Sequence, residues 1–104
     1  MSTFINLTPH NICEVTTGLS LPPSGVVARV AVSNTVVDVI NGVEIYATTY
    51  GDVVDLPEPQ PGVYYIVSGM VLAARPDRKD LLAPGELVRN DQGQPIGCRG
   101  FRRA

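Results

Sequence analysis

Residues 35–50 read Thr35-Val36-Val37-Asp38-Val39-Ile40-Asn41-Gly42-Val43-Glu44-Ile45-Tyr46-Ala47-Thr48-Thr49-Tyr50. β-Branched and aromatic side chains dominate both halves, and such residues pack well on a pleated surface. Asn41-Gly42 between them accepts the positive φ of a two-residue type I′ turn, the strongest short hairpin signal in the chain. The stretch predicts a hairpin joining Thr35–Ile40 to Glu44–Tyr50. Because side chains alternate across a strand, Ile45, Ala47 and Thr49 fall on one face and Tyr46, Thr48 and Tyr50 on the other. The second face is a ladder of aromatic and hydroxyl groups.

The same pattern extends outward. Ten glycines and nine prolines punctuate short apolar runs, as strands and hairpins require. Towards the N-terminus, Phe4–Leu7 and Ile12–Thr16 read as two short strands joined through Thr8-Pro9-His10-Asn11, Leu19–Gly25 as a loop, and Val26–Val32 as a less regular strand. Towards the C-terminus, Gly51-Asp52 reads as a turn into Val53–Leu56. Pro57 to Gly62 is a stiff, partly extended connector, and Val63–Val67 a strong central strand. Ser68 can cap a short helix over Gly69–Arg75, which Pro76 ends. Its residues Met70 to Ala74 are apolar on every side, which predicts burial against the sheet or a partner subunit. Asp77–Asp80 is a charged loop, Leu81-Leu82 returns to the core, and Ala83-Pro84-Gly85 turns again. Glu86–Asn90 and Pro95–Phe101 form a last hairpin. The expected fold is α+β and mainly β: a small antiparallel sheet or partly open barrel of short strands, with one short buried helix near 69–75, in a single domain over 1–104.

At 104 residues, with 44% hydrophobic and 17% charged residues, the composition is that of a folded globular domain whose small core would gain from oligomerisation. The longest uncharged run, Gln60 to Ala74, is too short and too rich in Pro, Gly and Tyr to cross a bilayer. The N-terminus lacks the charge and apolar pattern of a secretory signal, so a cytoplasmic location is expected. Cys13 and Cys98, far apart and outside any CxxC arrangement, read as reduced thiols.

Net charge is −2, unevenly spread. Residues 1–74 hold one base, Arg29, against six acids, whereas residues 75–104 hold seven bases against four acids. Seven of the eight bases are arginines, whose planar guanidinium grips carboxylate or phosphate with two parallel hydrogen bonds. Arg75, Arg78, Arg99 and Arg102 are therefore candidates for meeting phosphate. Tyr50, Tyr65 and Phe101 offer stacking surfaces for a base, with His10 as a further lining residue. Local ion pairs such as Arg78 with Asp80 are the competing reading. A net acidic chain gives no broad positive field for long nucleic acid.

Catalysis has weaker support. Nucleophilic chemistry needs a nucleophile, a base and an orienting group within reach, and His10, the single histidine, lies in no recognisable elbow or protease context. His10, Cys13 and Cys98 are too few for a zinc site. The acid pairs Asp52/Asp55 and Asp77/Asp80 are not fixed in the opposed geometry of glycoside chemistry, and no glycine-rich phosphate cradle precedes the helix. The expectation is no catalytic residue, no metal and no cofactor.

Five segments carry a resemblance: Asn6-Leu7-Thr8-Pro9-His10; Gly51-Asp52-Val53-Val54-Asp55-Leu56-Pro57; Tyr65-Ile66-Val67-Ser68; Pro76-Asp77-Arg78-Lys79-Asp80-Leu81; and the terminal hairpin with Val88, Arg89, Gly93, Ile96, Arg99 and Phe101. Together, from Ile5 to Phe101, the chain resembles a family of small proteins encoded by bacteriophages, prophages and actinobacteria. The resemblance implies a phage setting, in the cytoplasm of an infected or lysogenic bacterial host, rather than an activity. Combined with the clustered arginines and aromatics, that setting suggests an anti-defence protein: a homo-oligomer that sequesters a small nucleotide immune signal, of the cyclic nucleotide or ADP-ribose type, without turning it over. The alternative is a virion assembly or structural protein, or an interaction module that blocks a host factor. A third reading is a small nucleotide hydrolase for which His10 is essential.

Overall fold

The computed structural model describes residues 2–104. Eight strands and one helix follow in the order β1 (Thr3–Asn6), β2 (Ile12–Glu14), β3 (Leu19–Leu21), β4 (Arg29–Ile40), β5 (Val43–Val54), β6 (Val63–Ile66), α1 (Gly69–Ala74), β7 (Leu81–Arg89) and β8 (Pro95–Arg102). Six of the strands form a curled sheet in the order β1-β6-β7-β8-β2-β3, and β4 and β5 pair only with each other. The mainly β class with one short helix stands as expected, and the curled sheet is a nearly closed barrel. Its pairing is mixed: β1 with β6, β6 with β7, and β2 with β8 run parallel.

The barrel seam lies between the two edge strands β1 and β3, and the chain closes it with hydrogen bonds outside any ladder. Asn6 Nδ2 donates to the Leu21 carbonyl at 2.9 Å, and Ser24 N donates to the Asn6 carbonyl at 3.1 Å. β6 reads as an unbroken apolar run because both its faces are covered. Val63 and Tyr65 face a core with Leu7, Ala28, Val71, Leu72, Leu81 and Ala83. On the other side Tyr64 meets Phe4 at 6.0 Å between ring centroids, and Phe4 meets Phe101 edge-on at 5.4 Å.

Several local expectations are corrected. β1 and β2 do not pair as a hairpin; the Thr8–Asn11 segment instead carries the chain from the edge strand β1 to β2, which lies between β8 and the other edge strand, β3. Leu19–Leu21, expected in a loop, pairs with β2. Residues 29–40 form one strand rather than two. Gly51-Asp52 does not turn the chain: β5 runs on to Val54, and these two residues lie opposite the single residue Ala31, since Val32 pairs with Tyr50 and Val30 with Val53. Turn formers here make a bulge, which bends a ribbon without ending it. Ala83-Pro84-Gly85 likewise lies inside β7. β6 pairs with β7 only at Leu81 and Leu82, so Pro84, which has no N–H to give, breaks no ladder on that side. Gly85 is required there: a β-carbon would come 2.7 Å from the Gly100 carbonyl oxygen and collide with that of Arg99.

The Asn41-Gly42 hairpin forms as expected, with φ of 52° and 80°. Ser68 caps α1 through a bond from Val71 N to its hydroxyl. The helix buries Val71 and Leu72 on the core, while Met70, Ala73 and Ala74 remain exposed. No helix among the described residues is long and apolar enough to cross a membrane.

Candidate functional site

β4 and β5 stand out from the rest as an arm. Twelve residues per strand at ~3.3 Å each make a ribbon roughly 40 Å long, and the molecule measures 55 × 40 × 23 Å. Its radius of gyration is 16.8 Å, against about 13 Å for a compact chain of this size. Only the base of the arm is anchored, where Val30 and Val53 pack on the core.

Beyond that base the arm shows apolar side chains to water. Val32, Val36, Val37, Val39, Ile40, Val43, Ile45, Tyr46 and Tyr50 are each between 37% and 61% exposed. The register explains their arrangement. Val32 lies across from Tyr50, Asn34 from Thr48, Val36 from Tyr46, and Val39 from Glu44. The expected ladder of Tyr46, Thr48 and Tyr50 therefore exists, and a row of valines widens it. Thr48 Oγ1 donates to Asn34 Oδ1 at 2.8 Å, and the Tyr46 hydroxyl donates to the Glu44 carboxylate at 2.5 Å. That carboxylate raises the Tyr46 pKa above its ordinary value. The opposite face carries Ile40, Val43, Ile45 and Ala47. An isolated two-stranded ribbon is marginal in water, and a contiguous exposed apolar surface marks an association site.

The tyrosine face runs without a break into a groove of about 310 Å³ at the arm base, lined by Val30, Tyr50, Met70, Ala73 and Ala74. The exposed side of α1 is thus one wall of this surface. A second cleft, of about 590 Å³, opens between the β2 segment and the β7–β8 hairpin, with His10, Cys13, Leu87 and Ile96 in its lining. A third hollow of about 280 Å³ includes Tyr64, Lys79 and Arg103.

The eight residues expected to line a nucleotide site are dispersed. His10 lines the 590 Å³ cleft and Tyr50 the groove at the arm base; none of the three cavities includes a second member of the set. Tyr65 is 1% exposed in the core, its hydroxyl donating to the Glu58 carbonyl. Phe101 packs on Phe4. Arg75 grips Asp77 with two bonds of 3.0 Å. Arg78 grips Asp80 at 2.8 and 2.7 Å and donates a third bond to the Pro57 carbonyl at 3.0 Å. These arginines are held in the charged form, Arg75 chiefly by its bond to Asp77 and Arg78 by its bond to Asp80. Arg78 fastens the proline-rich connector to the barrel. Arg99 and Arg102 are exposed on β8 and form no ion pair among the described residues.

The Asn6–His10 motif is built around Asn6 and not its histidine. The Asn6 amide donates to the carbonyls of His10 (2.7 Å) and Leu21 (2.9 Å), and its Oδ1 accepts from Thr8 N (2.9 Å) and the Thr8 hydroxyl (2.7 Å). His10 contributes backbone groups to this network and its residue is exposed. Glu14, 4% exposed, is a second such node that the sequence reading missed. Its carboxylate accepts from Gly100 N at 2.7 Å, from both hydroxyls of Thr16 and Thr17, and from their two backbone N–H groups. The Gly100 bond, then the threonine hydroxyls, hold its pKa far below the ordinary value. The run Glu14-Val15-Thr16-Thr17 before Gly18 carries the local signal for such an acid-capped turn; its partner 86 residues away leaves none.

Among the described residues no group of three or more His, Cys, Asp or Glu side chains is placed to hold a metal ion. Cys13 and Cys98 are both free thiols. No protein-family model, curated protein or solved structure matches the chain.

Proposed function

We propose that this chain acts by binding protein through the β4–β5 arm, as a phage-type accessory protein devoted to assembly or to blocking a host factor, and that it turns over no substrate. The observation that carries this reading is the row of half-exposed valines and tyrosines along a ribbon that touches the barrel only at its base. Leaving such a surface in water has no compensating gain within the chain. The phage setting comes from the sequence resemblance, and the cytoplasm of the bacterial host is the compartment in which both roles would be exercised.

The test is site-specific photocrosslinking in cells that express the full chain. A photoreactive phenylalanine analogue at Val37 or Tyr46 is expected to give discrete protein adducts, and the same probe at Asp91, on the β7–β8 turn, none. Adducts that form equally at all three positions, or at none, would refute the reading.

A second reading, sequestration of a small nucleotide signal, is supported by Arg99, Arg102 and Arg103, which are exposed and in no ion pair among the described residues. It predicts that native mass spectrometry of the protein with cyclic dinucleotides, cyclic trinucleotides and ADP-ribose derivatives finds intact ligand in integral stoichiometry. That binding should fall at least about tenfold in Arg99→Ala.

A further inference from the structure

We infer that the occupant of the arm is a second copy of this chain, the two arms packed antiparallel through the faces that carry Val32, Val36, Val39, Tyr46 and Tyr50. This assignment rests on the reading of the arm as a protein-binding surface and names its partner.

Three observations select a second copy. The first is charge. From Val30 to Val54 the arm contains three acids and no base; of these Glu44, across from Val39 on the tyrosine face, stands beside the Asn41-Gly42 tip, whereas Asp38, across from Ile45, falls on the opposite face. The other end of the same surface is basic. A guanidinium nitrogen of Arg102, which forms no ion pair among the described residues, lies 2.8 Å from where a β-carbon on Gly69, the first residue of α1, would be. A two-fold axis near the middle of the ribbon sets each acidic tip over the partner's basic base, so one surface is complementary to itself.

The second is continuity. The tyrosine face leads directly into the groove beside Met70, Ala73 and Ala74. An antiparallel partner ribbon of equal length therefore delivers its tip, with Val39, to that groove.

The third is area. One face of a ribbon about 40 Å long and about 10 Å wide presents roughly 400 Å² in projection. Two such faces, with a groove at each end, approach the ~1,200 Å² at which specific interfaces begin. The arm alone, without a partner of its own length, would fall short of that.

The axis passes near the Asn34–Thr48 pair, midway along the ribbon, and this fixes the test. In a Cys13→Ser background, with Cys98 buried, Thr48→Cys is expected to form an intermolecular disulfide under mild oxidation, and Thr35→Cys, on the opposite face, is not. Sedimentation equilibrium of the purified wild-type chain should give twice 11.1 kDa. Val36→Asp combined with Tyr46→Asp should raise the dimer dissociation constant at least about 100-fold while the barrel's far-UV circular dichroism is retained. A wild-type monomer overturns the assignment. If photocrosslinks from the arm to another protein persist in that case, the protein-binding reading survives and only the choice of partner fails. Cross-linking through Thr35→Cys, or a dimer indifferent to the double substitution, overturns the face proposed here.

Discussion

Replacing Asn6 by alanine should be among the most damaging single changes in the chain, and replacing His10 among the mildest. Asn6 is 2% exposed and its amide makes all four of its hydrogen bonds within the protein. Alanine leaves Thr8 N without its acceptor and removes a donor from the carbonyls of His10 and Leu21. A buried polar group left unsatisfied costs about 1–3 kcal/mol, and the Leu21 bond also closes the barrel seam. The expected loss is about 3–4 kcal/mol, a large share of the 5–15 kcal/mol typical of such domains. At roughly 4–8 °C per kcal/mol for a domain of this size, the midpoint should fall by about 12–30 °C. Asn6→Asp should do no better at neutral pH, because its carboxylate can only accept and would face two carbonyl oxygens. His10→Ala should stay within ~0.5 kcal/mol, since only its backbone is engaged. The chain has no tryptophan, so guanidinium unfolding followed by far-UV circular dichroism, at one fixed protein concentration, is the appropriate assay. Asn6→Ala within 1 kcal/mol of wild type, or His10→Ala as costly as Asn6→Ala, would refute the seam-latch argument.

Glu14 supplies a pH dependence of definite sign. Its pKa is lowered on folding, so its contribution is fully present above the ordinary glutamate value of 4.5. That contribution is lost progressively as pH falls below 4.5 towards the folded value. Glu14→Gln should lower the midpoint at pH 7 and flatten this acid limb; an unchanged acid limb would show that another group controls it. Arg78→Ala removes three hydrogen bonds and leaves Asp80 unpaired, so a loss of about 2 kcal/mol is expected. Faster proteolysis within Pro57–Gly62 should accompany it. Gly85→Ala forces its methyl against two β8 carbonyls and should cost about 2–3 kcal/mol, read as a lowered denaturation midpoint.

Much of the fold was legible because it rests on local chemistry. Asn41-Gly42 fixed a hairpin through backbone angles that few other residues accept, Ser68 and Pro76 bracketed the helix, and Arg78 lay two residues from its carboxylate. Where local signals were ambiguous they misled. Gly51-Asp52 and Ala83-Pro84-Gly85 have turn composition, yet each lies within a strand, because a bulge and a close strand crossing use the same residues as a turn. The eight candidate nucleotide-site residues do not share one cavity for a related reason. Arginine and tyrosine report the capacity to bind an anion or stack on a base, and here Asp77, Asp80, Glu58 and Phe4 engage four of the eight within the chain.

By itself, then, the sequence determined what depends on neighbours along the chain: the strands' composition, the type I′ turn, the helix and its cap, and the acidic and basic thirds. The tertiary structure alone decided which valines meet solvent. Val36 and Val39 in the arm have the same β propensity as Val63 in β6 and Val67 just after it, and burial separates them only because β6 acquires neighbours on both sides while β4 and β5 pair with each other alone among the described residues. That difference arises from pairings between residues distant in sequence, such as Asn6 with Ile66 and Glu14 with Gly100, whose energies no local window contains.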